Sequence, residues 1–253
     1  MELTAKALQQ RLAPRPVKFF AQVGSTQDIA LAWLQENAES GAVVIADEQF
    51  AGRGREGRTW HTPPGVALAL SVILYPTIES LPQVTMLGAV VIAELLKGIG
   101  ASDVSIKWPN DVRLNGRKVS GVLPETVWQG SRLLGVALGI GVNVRNDFIG
   151  TLLEETAISI ELALGQWFDR MDLIVALLAR IDHWTTLLGT AELFEAWKAH
   201  LETLGQVVVV TSAAGTVSGI AESVDEHGAL FIREDDGGLQ RLIVGDALSS
   251  AWS

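Results

Sequence analysis

The chain has 253 residues, 48% of them hydrophobic and 19% charged, with a formal net charge of −10. That size and balance fit one ordinary domain plus a small appendage around a buried core, and they exclude a disordered chain and the basic footprint that a phosphate backbone requires, so nucleic acid is not an expected partner. The absence of cysteine excludes disulfides, thiolate metal sites and a thioester-forming nucleophile, so any activated acyl group must stay non-covalent.

Residues 1–16 lack the apolar core of a signal peptide, and no stretch approaches the ~18 apolar residues of a membrane span, which predicts a cytoplasmic protein with no membrane partner. The same residues are too few to build a helix-turn-helix module. A helix begins at Ser25 or Thr26, where Ser25 and Asp28 are spaced as a capping box and Ile29, Ala30, Trp33 and Leu34 share a face. The apolar runs Ala42 to Ala46 and Val66 to Tyr75 read as buried strands. Helical spacing predicts a helix from Gln83 to Lys97 with Leu87, Val91, Ala93 and Leu95 inward, followed by a strand from Val104 to Trp108. Asn115-Gly116 between strand-like arms is a hairpin turn, and Val122 to Val127 and Leu133 to Val144 continue the sheet. Residues 157–200 are helically spaced through Leu162, Leu173, Leu177, Ile181, Trp184 and Leu188. From Gly205 onward, short Val-rich runs broken by Ala-Ala-Gly, Asp-Glu-His-Gly and Asp-Asp-Gly-Gly predict a small all-β barrel, with a domain boundary near residue 204.

Three segments carry candidate chemistry. In Gly52-Arg53-Gly54-Arg55-Glu56-Gly57-Arg58-Thr59-Trp60, glycines permit close backbone approach and arginine forks grip carboxylate or phosphate, although a solvated surface loop has the same composition. The segment also matches G-x-G-x-x-G, but Thr59 to Gly65 cannot open the helix which a dinucleotide fingerprint needs. Lys107-Trp108-Pro109-Asn110-Asp111 ends a strand and Lys118 follows across the hairpin, a convergence of polar groups or an ordinary turn. Gly139-Ile140-Gly141-Val142-Asn143 places glycines at alternate strand positions, which indicates a close-lying ligand or backbone, or else a β-bulge.

These three segments, together with Lys118-Val119-Ser120-Gly121-Val122-Leu123-Pro124-Glu125 and in the order of the chain, resemble biotin protein ligases over residues 20 to 250. The resemblance implies an α+β fold: a catalytic domain with a mixed β-sheet and helices, residues 1–204, and an SH3-like C-terminal barrel, residues 205–253. It implies an enzyme that activates biotin with ATP, with Mg²⁺, to biotinyl-5′-AMP. The biotinyl group then passes to a lysine of a biotin carboxyl carrier domain, such as that of acetyl-CoA carboxylase. Carried over by position, Ser25, Thr26, Gln27, Gln49, Arg53, Gly54, Arg55 and Lys118 are expected at biotin, and Arg55, Arg58, Trp60, Asn110 and Asn143 at ATP. Lys118 and Arg55 are the catalytic candidates; Asp111 is one candidate base for the acceptor lysine, and no residue is assigned to a resident metal. Two departures from the family pattern are Glu56, where a basic residue occurs in relatives, and Pro124, which removes a strand donor. Exposed sheet edges allow a homodimer. A lipoate ligase, a biotin-responsive regulator and an interaction scaffold using the barrel are the competing readings; the barrel is expected to assist ATP or carrier docking.

Overall fold

The computed structural model describes residues 2–212, 215–243 and 245–249. The apolar runs become a seven-stranded sheet of β1 (Val17–Val23), β2 (Val43–Gln49), β3 (Ala67–Leu74), β4 (Val104–Lys107), β5 (Asp111–Leu114), β6 (Arg117–Gln129) and β7 (Arg132–Asn143). The order across the sheet is β1-β2-β3-β7-β6-β5-β4, with β1 and β2 parallel and the other neighbours antiparallel. Ahead of it stands α1 (Ala5–Leu12), capped by Thr4 and burying Leu8 and Leu12 one turn apart.

Alternation along the strands decides what each face carries. Leu68, Leu70 and Val72 of β3 and Leu138, Ile140 and Val142 of β7 enter the main core. Ser71, Gly139, Gly141 and Asn143 alternate with them and fall on the opposite face, where α2 (Thr26–Gln35) packs Ala30 and Leu34 against Ile73 and Ala137. On the core face lies α3 (Gln83–Gly98), one residue longer than its periodicity predicts, with Leu87, Val91, Ala93 and Leu95 all buried. It is apolar on nearly every side because it is enclosed between the sheet and two outer helices, α5 (Arg170–Thr185) and α6 (Ala191–Lys198). Leu173, Leu177, Ile181 and Trp184 point inward as expected, whereas Leu162 faces solvent because the short α4 (Ile160–Leu164) buries only Ile160.

Asn115 and Gly116 both take positive φ (50° and 72°), the type I′ turn that matches strand twist, and so fix the β5–β6 hairpin. Pro124 sits beyond Gly121, the last β6 residue paired to β5, where β7 is the one strand neighbour; a strand proline is tolerated at such a place. The C-terminal strands β8 (Val207–Ser212), β9 (Gly215–Val224), β10 (Leu230–Arg233), β11 (Leu239–Leu242) and β12 (Asp246–Ser249) form a five-stranded antiparallel sheet ordered β11-β10-β9-β8-β12. Ala213 and Ala214, part of an expected break, lie outside the described residues. Val208, Val210, Ala221, Leu230 and Ile232 bury one face of this sheet in the main core. The connection to it covers the outer edge of β4: the Ile106 amide donates to His200 O (2.8 Å) and the Glu202 amide to Ile106 O (3.1 Å). Trp108 adds two ties, its backbone N–H to Thr203 Oγ1 and its indole N–H to Gly228 O, both 2.9 Å. Among the described residues no helix is long and apolar enough to cross a membrane.

Just past β7, Arg145 joins α4 and two loops through Glu161 (2.7 Å), Gly65 O (2.9 Å) and Phe168 O (2.8 Å). Burial pushes the Glu161 carboxyl upward, but the Arg145 guanidinium and the Phe168 amide outweigh it and hold the group below its ordinary value. A depressed acid stabilises the fold above its unfolded-state pKa and loses that contribution as pH falls through the folded value. Glu161→Gln is therefore expected to cost about 2 kcal/mol near neutral pH, or about 4–8 °C in Tm. The gap from wild type should narrow as pH falls below 4.5, the ordinary glutamate value. Thermal melts across pH check this; a gap that is constant into acid contradicts it.

Candidate active site

The face of the seven-stranded sheet that carries α2 opens into a cavity of about 400 Å³. Its floor is set by the strand glycines. Both ladders of β7 run through residues 139–141 without a register shift, so these glycines mark no bulge. Each instead lies under a side chain: a Cβ on Gly139 would stand 2.7 Å from Gln27 Oε1, and one on Gly141 would stand 2.3 Å from the Trp60 indole. The close approach is between protein groups, and it brings Gln27 and Trp60 down to the sheet.

Ser25 caps α2 by accepting from the Gln27 amide (3.3 Å), while Asp28, spaced for a capping box, turns instead to Arg53 (2.9 Å) because the arginine supplies a charged partner. The cap places three polar residues at the cavity. Gln27, 3% exposed, donates to Leu123 O (3.0 Å) and Ala137 O (2.9 Å) and accepts from Ser71 (2.8 Å). Thr26 donates its amide to Gln49 Oε1 (2.8 Å) and meets Ser71 Oγ (2.9 Å), and Gln49 donates to Thr62 (3.3 Å). A buried polar network with every member partnered is rigid, which suits fine recognition of a neutral polar ligand group.

The Gly-rich segment is ordered as a hairpin: Gln49 bridges to Thr62 and Arg53 to Thr59, around a single 3₁₀ turn at Arg55–Gly57. Its side chains bring charge to the cavity. Arg55 donates to Asn110 Oδ1 (2.9 Å), and Asn110 in turn donates to Val122 O (2.7 Å), so the turn after β4 holds the arginine. Lys118 Nζ lies 2.7 Å from Asp111 Oδ1 and 5.7 Å from the Trp60 ring. Its backbone is clamped in addition, since its amide donates to Thr156 O and its carbonyl accepts from Ile158. Asn143 donates to Ile158 O (3.2 Å). The Trp60 indole N–H is buried without a hydrogen-bond partner. The side chain of Glu56 lies outside the described set.

All of Ser25, Thr26, Gln27, Gln49, Arg53, Gly54, Arg55, Arg58, Trp60, Asn110, Lys118 and Asn143 line this one cavity. The sequence patterns do not reveal Ser71, although a lone hydroxyl in an otherwise apolar buried strand is a usable signal. They also miss the wall formed by Phe148, Leu153, Thr156 and Ala157, a loop without periodicity, and the approach of Gly245 and Leu248 from the C-terminal sheet. Arg53 faces two carboxylates, Asp28 and Glu125, each at 2.9 Å, so its guanidinium is already occupied.

A sequence profile of the Biotin/lipoate A/B protein ligase family matches residues 19–143, and one of the biotin protein ligase C-terminal domain matches residues 203–248. A biotin–[acetyl-CoA-carboxylase] ligase of Paracoccus denitrificans is 35% identical over 224 residues, covering 84% of this chain and 92% of that protein. A bifunctional ligase/repressor BirA of Bacillus spizizenii is 33% identical, covering 85% of this chain and 68% of that protein. Among solved structures, the biotin protein ligase of Aquifex aeolicus in complex with biotin and ATP superimposes with a TM-score of 0.77 at 28% identity, over 92% of this chain and 97% of that one. With these relatives spanning both sheets and the cavity between the Gly-rich hairpin and β7, the chain belongs to the biotin protein ligase family.

Proposed function

We propose that this protein activates biotin with ATP to biotinyl-5′-AMP and transfers the biotinyl group to a lysine of a biotin carboxyl carrier domain, such as that of acetyl-CoA carboxylase. The observation that carries the reading is electrostatic. In a chain of net charge −10, the cavity is lined by Arg55, Arg58, Lys107 and Lys118 against the single lining carboxylate of Asp111, while two further lining arginines, Arg53 and Arg113, are paired to Asp28, Glu125 and Glu202 outside it. Such a site attracts and holds anions.

In the first step a biotin carboxylate oxygen attacks the α-phosphorus of ATP and pyrophosphate leaves. Two anions must meet, so we assign Arg55 and Lys118 to the charge that builds up in the transition state and Arg58 to the phosphates. Ser25, Thr26, Gln27 and Gln49, with Arg53 and Gly54 of the hairpin, form the biotin end; Trp60, Asn110 and Asn143 form the nucleotide end. In the second step the neutral lysine amine attacks the acyl carbon and AMP leaves, and the hairpin shields the mixed anhydride until then. Mg²⁺ enters as the counter-ion of ATP. Among the described residues no cluster of three metal-ligating side chains exists, and Asp111 is the one lining carboxylate, which fits an ion held chiefly by phosphate oxygens and water.

In this reading residues 1–204 carry the chemistry and residues 205–253 assist ATP or carrier docking. The enzyme works in the cytoplasm without nucleic acid. A homodimer would form at β1, which has β2 as its one strand neighbour, because the β4 edge is already covered by residues 200–202.

Mass spectrometry of a carrier domain incubated with the protein, biotin, ATP and Mg²⁺ tests the assignment. One biotinyl mass on the acceptor lysine is expected, and none with lipoate. Gain with lipoate alone moves the chain to the sister activity, and no gain with either overturns transfer.

A further inference from the structure

Arg53 and Arg55 are among the side chains that fasten the hairpin over the cavity to the body of the protein. Arg55 reaches the turn after β4, inside the site. Arg53 does something else: a single nitrogen, Nη2, lies 2.9 Å from Glu125 on β6 and 2.9 Å from Asp28 on α2. A second groove is lined by the hairpin residues Phe50, Ala51, Gly52 and Arg53 together with Leu123 and Glu125 of β6. The Arg53–Glu125 pair crosses it. Asp28 follows directly on the cap residues Ser25, Thr26 and Gln27, so the same nitrogen ties the hairpin to the helix that frames the polar end of the cavity. All three side chains are partly exposed, at 40%, 57% and 33% for Arg53, Asp28 and Glu125, so the fastening is screened by salt and breaks readily.

We infer that Asp28 and Glu125 are positioning residues that latch the hairpin through Arg53 and set how long the acyl-adenylate is retained. Neither lines the cavity. This rests on the function proposed above, because it concerns the reaction intermediate. A latch that is moderate in strength is what the two-step chemistry needs: the intermediate must outlast the wait for a carrier, yet the hairpin must lift to admit the lysine.

The test uses the full chain, loaded with biotin, ATP and Mg²⁺, freed of excess ligand, and followed for release of biotinyl-adenylate. At low salt Asp28→Asn and Glu125→Gln are each expected to raise the release rate about fivefold, and the double variant about tenfold, the upper range for exposed ion pairs sharing one arginine. The amount of adenylate formed in the first turnover should stay at wild-type level, and Glu125→Asp should restore slow release. Wild-type release should accelerate with added NaCl towards the rate of the double variant, whose own rate should be flat; a purely structural role for these side chains predicts no such convergence. Wild-type release that is independent of salt, or a double variant that releases at the wild-type rate, overturns the latch. Failure of the wild-type protein to form any adenylate overturns the functional reading instead, and the latch with it.

Discussion

Lys118→Ala is expected to slow acyl-adenylate formation by about 10²–10³-fold, the usual loss when one preorganised charge is removed from a developing anion. The fold gives this lysine a defined position. The type I′ turn at Asn115-Gly116 precedes it, and the segment reaching Ile158 clamps its amide and carbonyl on the other side. Its ammonium is held by Asp111 at 2.7 Å, beside the Trp60 ring. The deletion also leaves the Asp111 carboxylate, 21% exposed, without that counter-ion beside two anionic substrates. Part of the loss is therefore repulsion, and Asp111→Asn in the Lys118→Ala background should recover about tenfold of it. Single-turnover formation of biotinyl-AMP, measured with the wild type, Lys118→Ala, Asp111→Asn and the double variant, separates the two contributions. A Lys118→Ala protein that keeps the wild-type rate would remove the lysine from the chemistry altogether.

What the sequence makes legible here is whatever depends on neighbours along the chain. The α3 helix follows from its own period, and the β5–β6 turn from two residues with positive φ. The cationic character of the hairpin is visible because arginine and glycine alternate within an acidic chain. What is hidden depends on partners far apart in sequence. Asp28 reads locally as half of a capping box, yet Arg53, folded back over α2, outcompetes the helix amides for its carboxylate. Ser71 becomes a site residue only because β3 pairs with β7 and brings its hydroxyl to Gln27. Residues 148–157 carry no period, and their role as a wall arises from the parallel bridge between Lys118 and Ala157.

Gly139 and Gly141 of β7 carry the same spacing signal but should respond to the same substitution in opposite ways. Gly139→Ala sets a methyl group 2.7 Å from Gln27 Oε1 and 3.2 Å from Leu123 O. Gln27 is tied by three hydrogen bonds and cannot yield without leaving buried polar groups unpaired. A cost of about 2–4 kcal/mol follows, or about 4–16 °C in Tm for a chain of this size. Gly141→Ala sets its methyl 2.3 Å from the Trp60 indole, whose N–H has no hydrogen-bond partner to lose and which belongs to the hairpin and not to the sheet. Here the hairpin should lift instead of the core giving way: Tm should fall by no more than about 4 °C, while ATP affinity should drop about tenfold because the loop no longer seats. Trp60→Ala provides the control, since the three atoms nearest the Gly141→Ala methyl all belong to the indole, and without them its effect on ATP affinity should vanish. Thermal melts and nucleotide titrations on the wild type, Gly139→Ala, Gly141→Ala, Trp60→Ala and the Trp60→Ala/Gly141→Ala double variant decide the matter. Equal losses of Tm at the two glycines would mean that the hairpin is as rigidly held as the sheet beneath it, and that the cover over the cavity does not open at Trp60.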